Sequence, residues 1–351
     1  MREFEPHPFF IAGCPSQLRV KYSPHPWLRN RHAMTLAGAL WPRRARRLPT
    51  AEDRRFEVEA GTCLLAKCHW QARPRECATL VVVHGLEGSS ESAYMRGLAE
   101  KAFVSGFNVL RVNQRTCGGT EELTPTLYGS GLSGDYRAIL NELVERDRLP
   151  ALFFAGYSMG GNLVLKMAGE LGAAAPPELR GVCAVCPTME LAACVEAIER
   201  PENALYQRRF VRGLKGRMRR KARLFPGRFS LHGLEALRTL REFDDAITAP
   251  HFGYRDADDY YFRASACRVV QQVAVPALIL TAQDDPVVPF CTFDAPEVRG
   301  NRQITLLAPE RGGHCAFISR SAGWERFWAE ARVVEFCIGA YGKMLNTEFT
   351  E

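Results

Sequence analysis

From residue 54 onward, short runs of apolar and β-branched residues alternate with longer segments of helical spacing. This is the pattern of a parallel sheet whose strands are joined by crossover helices. Leu80-Val81-Val82-Val83 reads as the clearest strand. It is followed by a helix near 93–103, a strand at 109–112, a helix near 134–146 and a strand at 151–155. The scheme continues with a helix from Asn162 and strands at 182–185, 277–280 and 304–307. These alternations predict an α/β fold with a mostly parallel, doubly wound sheet.

One interval breaks the rhythm. Residues 188–268 hold no strong strand run and are rich in charge, so they predict a helical insertion. At that point of an open α/β sheet an insertion lies over the carboxyl ends of the strands, where ligands bind, and it is expected to form a cap. The first 53 residues, with Pro6, Pro8, Pro15, Pro24, Pro26, Pro42 and Pro49, are expected to be an irregular arm packed on a body of residues 54–351.

Composition narrows the class only in part. Hydrophobic residues make up 46% of the 351, enough for a packed core, which excludes disorder of the chain as a whole. The formal charge of +7 favours anionic surfaces, but the 39 acidic residues are spread along the chain, so charge by itself identifies no partner. Twelve cysteines, mostly single within apolar runs, read as reduced core residues. Cys183 and Cys186 have metal or redox spacing but no companion pair, and buried thiols are the expectation. The start of the chain has acids where a secretory signal has its basic and apolar regions, and no segment reaches ~18 uninterrupted apolar residues. Cytoplasmic residence is the resulting expectation.

The chemistry is carried by Gly156-Tyr157-Ser158-Met159-Gly160, a G-x-S-x-G motif. In this motif the serine sits on a strained strand-to-helix turn with its hydroxyl exposed above the sheet. The flanking pattern fits, since an apolar run ends at Ala155 and an amphipathic run begins at Asn162. Ser158 is therefore the candidate nucleophile. The partner residues of such a site follow late strands in the order acid, then histidine. Asp284-Asp285-Pro286 follows the strand at 277–280, and Gly312-Gly313-His314 follows that at 304–307. Asp285 is taken as the acid, with Asp284 as the alternative, and His314 as the base. Hydrolysis is then expected to rise as His314 loses its proton, near pH ~6.5 for an unshifted imidazole. The oxyanion donors are expected to be the backbone N–H groups of Met159 and of Leu86 in His84-Gly85-Leu86-Glu87-Gly88. His84 is expected to anchor that loop.

These motifs, with Pro26-Trp27-Leu28-Arg29-Asn30, Cys117-Gly118-Gly119, Tyr128 with Ser130-Gly131, Phe243-Asp244 and Asp259-Tyr260-Tyr261, make the chain resemble the YheT-like branch of the α/β-hydrolases. That group includes the animal abhydrolase-domain carboxylesterases and phospholipases. The resemblance covers nearly the whole chain and implies an α/β-hydrolase fold with an inserted helical cap. It also implies a charge relay of Ser158, Asp285 and His314 and hydrolysis of carboxylic esters, from short acyl esters to acylglycerols; acyl transfer through Ser158 and His314 needs no metal or organic cofactor. Thr116 and Gly129 depart from the group, where many relatives have glycine and histidine.

The competing reading is a lipid- or partner-binding protein on a hydrolase scaffold. Phe210, Phe225, Phe243, Phe252, Tyr254, Tyr260 and Tyr261 offer apolar surface in the cap, about a third of them expected in the pocket. Residues 208–228 carry many Arg and Lys without an acid, which suggests transient attraction to anionic membranes. Gly213 and Gly216 are expected to weaken any continuous helix there, and no nucleic-acid reader motif is present.

Overall fold

The computed structural model describes residues 21–348; the arm's first twenty residues, with Pro6, Pro8 and Pro15, lie outside them. The arm is not irregular throughout. It contains helix α1 (Arg31–Leu40), which starts where the Asn30 side chain accepts from the N–H groups of His32 and Ala33. The prolines that suggested irregularity stand on either side of this proline-free stretch.

The sheet begins with β1 (Glu52–Glu59) and β2 (Thr62–His69), an antiparallel pair. Then follow β3 (Thr79–Val83), α2 (Ala93–Val104), β4 (Asn108–Val112), α3 (Ser133–Glu145), β5 (Leu152–Tyr157), α4 (Met159–Leu171) and β6 (Leu179–Val185). Between β6 and β7 the chain builds a helical cap from α5 (Leu191–Glu199), α6 (Ala204–Leu224), α7 (Leu240–Phe243), a π-helical turn at Asp244–Thr248, α8 (Ala249–His251) and α9 (Ala257–Ala264). It closes with β7 (Ala277–Leu280), α10 (Pro296–Arg299), β8 (Ile304–Leu307) and α11 (Trp328–Glu348).

The strand order is β1-β2-β4-β3-β5-β6-β7-β8, parallel from β4 to β8 and antiparallel at β1 and β2. Side chains of one core, including Ile139 and Leu140 of α3 and Leu163 and Val164 of α4, cover one face. Met95 and Leu98 of α2 with Val333 and Val334 of α11 cover the other. Every residue of β3, β4 and β5 is accordingly buried, which is why these strands read as continuous apolar runs.

Helix α6 runs unbroken through Gly213 and Gly216, against the expectation of a weakened helix. Packing overrides intrinsic propensity here. A Cβ at Gly213 would lie 2.3 Å from Glu87 Oε2, so the glycine lets α6 approach the loop after β3. Lys215, Arg217 and Lys221 are buried rather than solvated. Arg217 binds Glu87, and the Lys221 ammonium donates to the Glu121 carbonyl at 2.9 Å.

Candidate active site

Ser158 occupies the turn between β5 and α4 with φ +52°, a left-handed conformation rare outside glycine. Helix α4 begins at Met159, three residues before the amphipathic run suggested, because the turn itself is its first cap. The flanking glycines are sterically required. A Cβ on Gly156 would lie 2.0 Å from the Gly160 carbonyl oxygen, and one on Gly160 would lie 2.5 Å from those of Val83 and His84.

His314 follows β8, and its Nε2 lies 2.9 Å from Ser158 Oγ while its Nδ1 lies 2.8 Å from Asp285 Oδ2. The Asp285 carboxylate is buried and accepts through Oδ1 from the N–H groups of Val287 at 2.8 Å and Val288 at 3.0 Å. Asp284 turns elsewhere and accepts from the Gly313 N–H at 2.9 Å. The structure thus brings Ser158, His314 and Asp285 into one hydrogen-bonded line, while Asp284 braces the histidine loop. Burial works to lower the His314 pKa, but the adjacent Asp285 carboxylate outweighs it and holds the imidazole well above its ordinary 6.5.

The backbone N–H groups of Leu86 and Met159 have no hydrogen-bond acceptor among the described residues, and both residues line the same cavity as Ser158. His84 is fully buried, with Nδ1 2.8 Å from the Gly85 carbonyl oxygen and Nε2 accepting from the Gln114 N–H at 3.1 Å. Burial lowers its pKa to about 4, so it is a neutral brace for the loop that carries Leu86.

Two supports join distant segments in pairings that the sequence pattern did not give. The His314 N–H donates to the Thr35 hydroxyl of α1 at 2.9 Å, so the arm holds the histidine loop. A Cβ at Gly313 would meet the Arg31 carbonyl oxygen at 2.8 Å, which shows how close that contact is. On the other side, Glu87 accepts from Arg217 Nη2 of α6 at 2.9 Å and from the Tyr128 hydroxyl at 2.6 Å. The residue next to Leu86 is thereby clamped to the cap by a buried ion pair.

The cavity above Ser158 encloses about 80 Å³. It is smaller than the roughly 150 Å³ that holds a benzene ring. Its apolar lining comes largely from the cap, with Leu191, Val195, Ile198 and Leu214 beside Val287. Of the seven cap aromatics, Phe210, Tyr260 and Tyr261 line it and the other four pack elsewhere. The Cys183 and Cys186 thiols diverge, Cys183 Sγ lying 4.0 Å from Cys337 Sγ. Cys186 instead groups with His314 and Cys315 in a trio able to approach a metal ion. Both imidazole nitrogens are already engaged, so a metal would have to displace Ser158 or Asp285.

A profile of the alpha/beta hydrolase family matches residues 80–327. YheT of Escherichia coli is 32% identical over 90% of this chain and 93% of its own. The mouse phospholipase ABHD3 is 29% identical over 68% of this chain and 58% of its own length, and the yeast monoacylglycerol lipase 28% over 72% and 57%. Among solved structures, an esterase of Pyrococcus furiosus superposes with a TM-score of 0.54 over 82% of this chain and 91% of that one, at 15% identity. No helix among the described residues is long and apolar enough to cross a membrane.

Proposed function

Because the chain belongs to the alpha/beta hydrolase family, we propose that it is a serine hydrolase that cleaves carboxylic esters through an acyl-enzyme. Ser158 Oγ attacks the ester carbonyl as His314 Nε2 takes its proton, and Asp285 stabilises the imidazolium that forms. The Leu86 and Met159 N–H groups receive the developing oxyanion. Collapse expels the alcohol with the proton from His314, and water, deprotonated by the same nitrogen, releases the acid. None of these steps calls for a metal or organic cofactor.

The observation that carries this reading is the unbroken line from Ser158 Oγ through His314 to Asp285, at 2.9 and 2.8 Å. The small cavity favours short acyl esters. The names of the lipase and phospholipase relatives support acylglycerol or lipid esters as a further class, for which the cap helices would have to move apart. A cytoplasmic enzyme that touches anionic membranes through the exposed face of α6 is part of the same proposal.

The test is turnover of a p-nitrophenyl ester series by wild type and Ser158→Ala, with labelling by a fluorophosphonate probe. Loss of both in the variant is expected. A wild-type protein that neither turns over nor labels would sink the reading and leave a binding protein on a hydrolase scaffold.

A further inference from the structure

The cavity that opens on Ser158 is apolar along most of its wall but contains one carboxylate that the hydrolytic steps do not use. Asp244 stands at the start of the π-helical turn between α7 and α8 and lines this cavity with Thr248, Tyr261 and the side-chain-free Gly129. Such widened turns are frequent at functional positions. The Tyr261 hydroxyl donates to Asp244 Oδ2 at 2.8 Å, and the Thr248 hydroxyl supplies a second neutral donor. No Lys, Arg or His is hydrogen-bonded to it among the described residues. The Arg241 guanidinium, which acts on it through space, is engaged with Asp258.

A carboxylate offers about four acceptor sites, and two neutral hydroxyls leave part of that capacity facing the cavity. An incompletely paired carboxylate in an apolar enclosure is costly, and burial accordingly raises its pKa to about 6. It still ionises at neutral pH and is then an acceptor only. A hydrocarbon chain placed against it would add desolvation without a compensating bond. A hydroxyl would supply the missing donor.

We propose that Asp244, held by Tyr261 and Thr248, determines specificity by accepting a hydrogen bond from a hydroxyl on the part of the ester that enters this cavity. The substrate class is then short hydroxylated esters rather than plain alkyl ones. This rests on the ester-hydrolase reading for the word substrate, but the binding preference can be measured without turnover. The bond to Tyr261 orients the carboxylate, so Asp244→Asn keeps an acceptor for Tyr261 while removing the charge that favours the ligand hydroxyl.

The experiment compares p-nitrophenyl 3-hydroxybutyrate with p-nitrophenyl butyrate. Turnover is measured for wild type and Asp244→Asn, and calorimetric binding of both esters for Ser158→Ala with and without Asp244→Asn. Wild type is expected to favour the hydroxy ester, and the ratio of the two kcat/KM values to fall about tenfold or more in Asp244→Asn, as for a lost hydrogen bond to a charged group. The binding ratio should fall in parallel. A ratio that stays flat while Ser158-dependent turnover persists would overturn the proposal and leave the esterase reading intact. Equal losses for both esters with a lowered melting temperature would also overturn it, because a merely structural Asp244 cannot change the ratio. Tighter binding of the hydroxy ester through Asp244, without turnover by wild type, would support the pocket and sink the esterase reading.

Discussion

At the scale of single residues, the two adjacent aspartates make the sharpest contrast. Asp285 meets His314 at 2.8 Å, whereas Asp284 accepts from the backbone of the histidine loop at Gly313. Asp285→Asn should lower kcat by roughly 10³–10⁴, since the imidazole loses both its tautomer control and its counter-charge. Asp284→Asn should lower it by about tenfold or less, as a neutral acceptor still serves the Gly313 N–H. The pH profile gives the sign of the same interaction. His314 must be neutral to accept the proton, and Asp285 raises its pKa above the ordinary 6.5. The acid limb of kcat/KM should therefore lie alkaline of that of a free imidazole, above the position expected from sequence. In the residual activity of Asp285→Asn it should move towards acid; a limb that stays in place in the variant would contradict the assigned pairing. Gly160→Ala is expected to abolish soluble expression or cut stability by more than ~3 kcal/mol, read by urea unfolding. The added Cβ would meet two backbone oxygens at 2.5 Å, and neither can give way without moving β3.

At the scale of elements, what was legible in the sequence followed how completely each element is buried. Strands β7 and β8 run from 277–280 and 304–307, the residues their apolar runs marked, because all four positions of β7 and three of the four in β8 are buried and leave no competing period. Strand β1 left no such trace. It is an edge strand, Glu52-Asp53-Arg54-Arg55-Phe56-Glu57-Val58-Glu59, with Phe56 its one fully buried residue. Helix α1 was hidden among prolines, and α6 looked interrupted by two glycines, of which Gly213 in fact serves a close tertiary approach. The candidate nucleophile and base were marked by the glycines beside Ser158 and His314, and the candidate acid by its place after β7 in Asp284-Asp285-Pro286. The Thr35 and Glu87–Arg217 supports are contacts between distant segments that no local spacing records. The ion pair gives a test of that hidden layer. Arg217→Met strands Glu87 in a nearly closed site and should cost about 3–5 kcal/mol, while Glu87→Gln with Arg217→Met should recover much of it. If the clamp positions Leu86, kcat of the double variant should remain depressed even as its melting temperature returns. Recovery of both together would show that the pair serves stability alone.

At the scale of the whole molecule, α6 presents two faces to two different environments. Its inner face supplies Phe210 and Leu214 to the cavity and Arg217 to the loop of Leu86. Its outer face carries Arg208, Arg209, Arg212, Arg219, Arg220 and Arg223 at helical spacing, with Leu205 70% and Leu224 49% exposed at its two ends. Arg219 and Arg220 are neutralised by Glu235 and Glu121, so the field of this face is set by the other four, which form no salt bridge among the described residues. A basic face flanked by exposed leucines suits the boundary of an anionic bilayer, and each arginine near such a surface contributes about 1 kcal/mol. Replacing Arg208, Arg209, Arg212 and Arg223 with Gln should therefore weaken sedimentation with phosphatidylserine vesicles by at least tenfold. Binding of wild type should fall as salt rises and the attraction is screened. Turnover of a soluble short ester should persist in the variant, since none of the four side chains lines the cavity. Vesicle association that ignores both salt and anionic lipid would remove this face from the account. Association that depends on both would place the bilayer against the outer side of the helix that lines the Ser158 cavity, so that a displacement of α6 at the surface would be felt at Leu86 through Arg217 and Glu87.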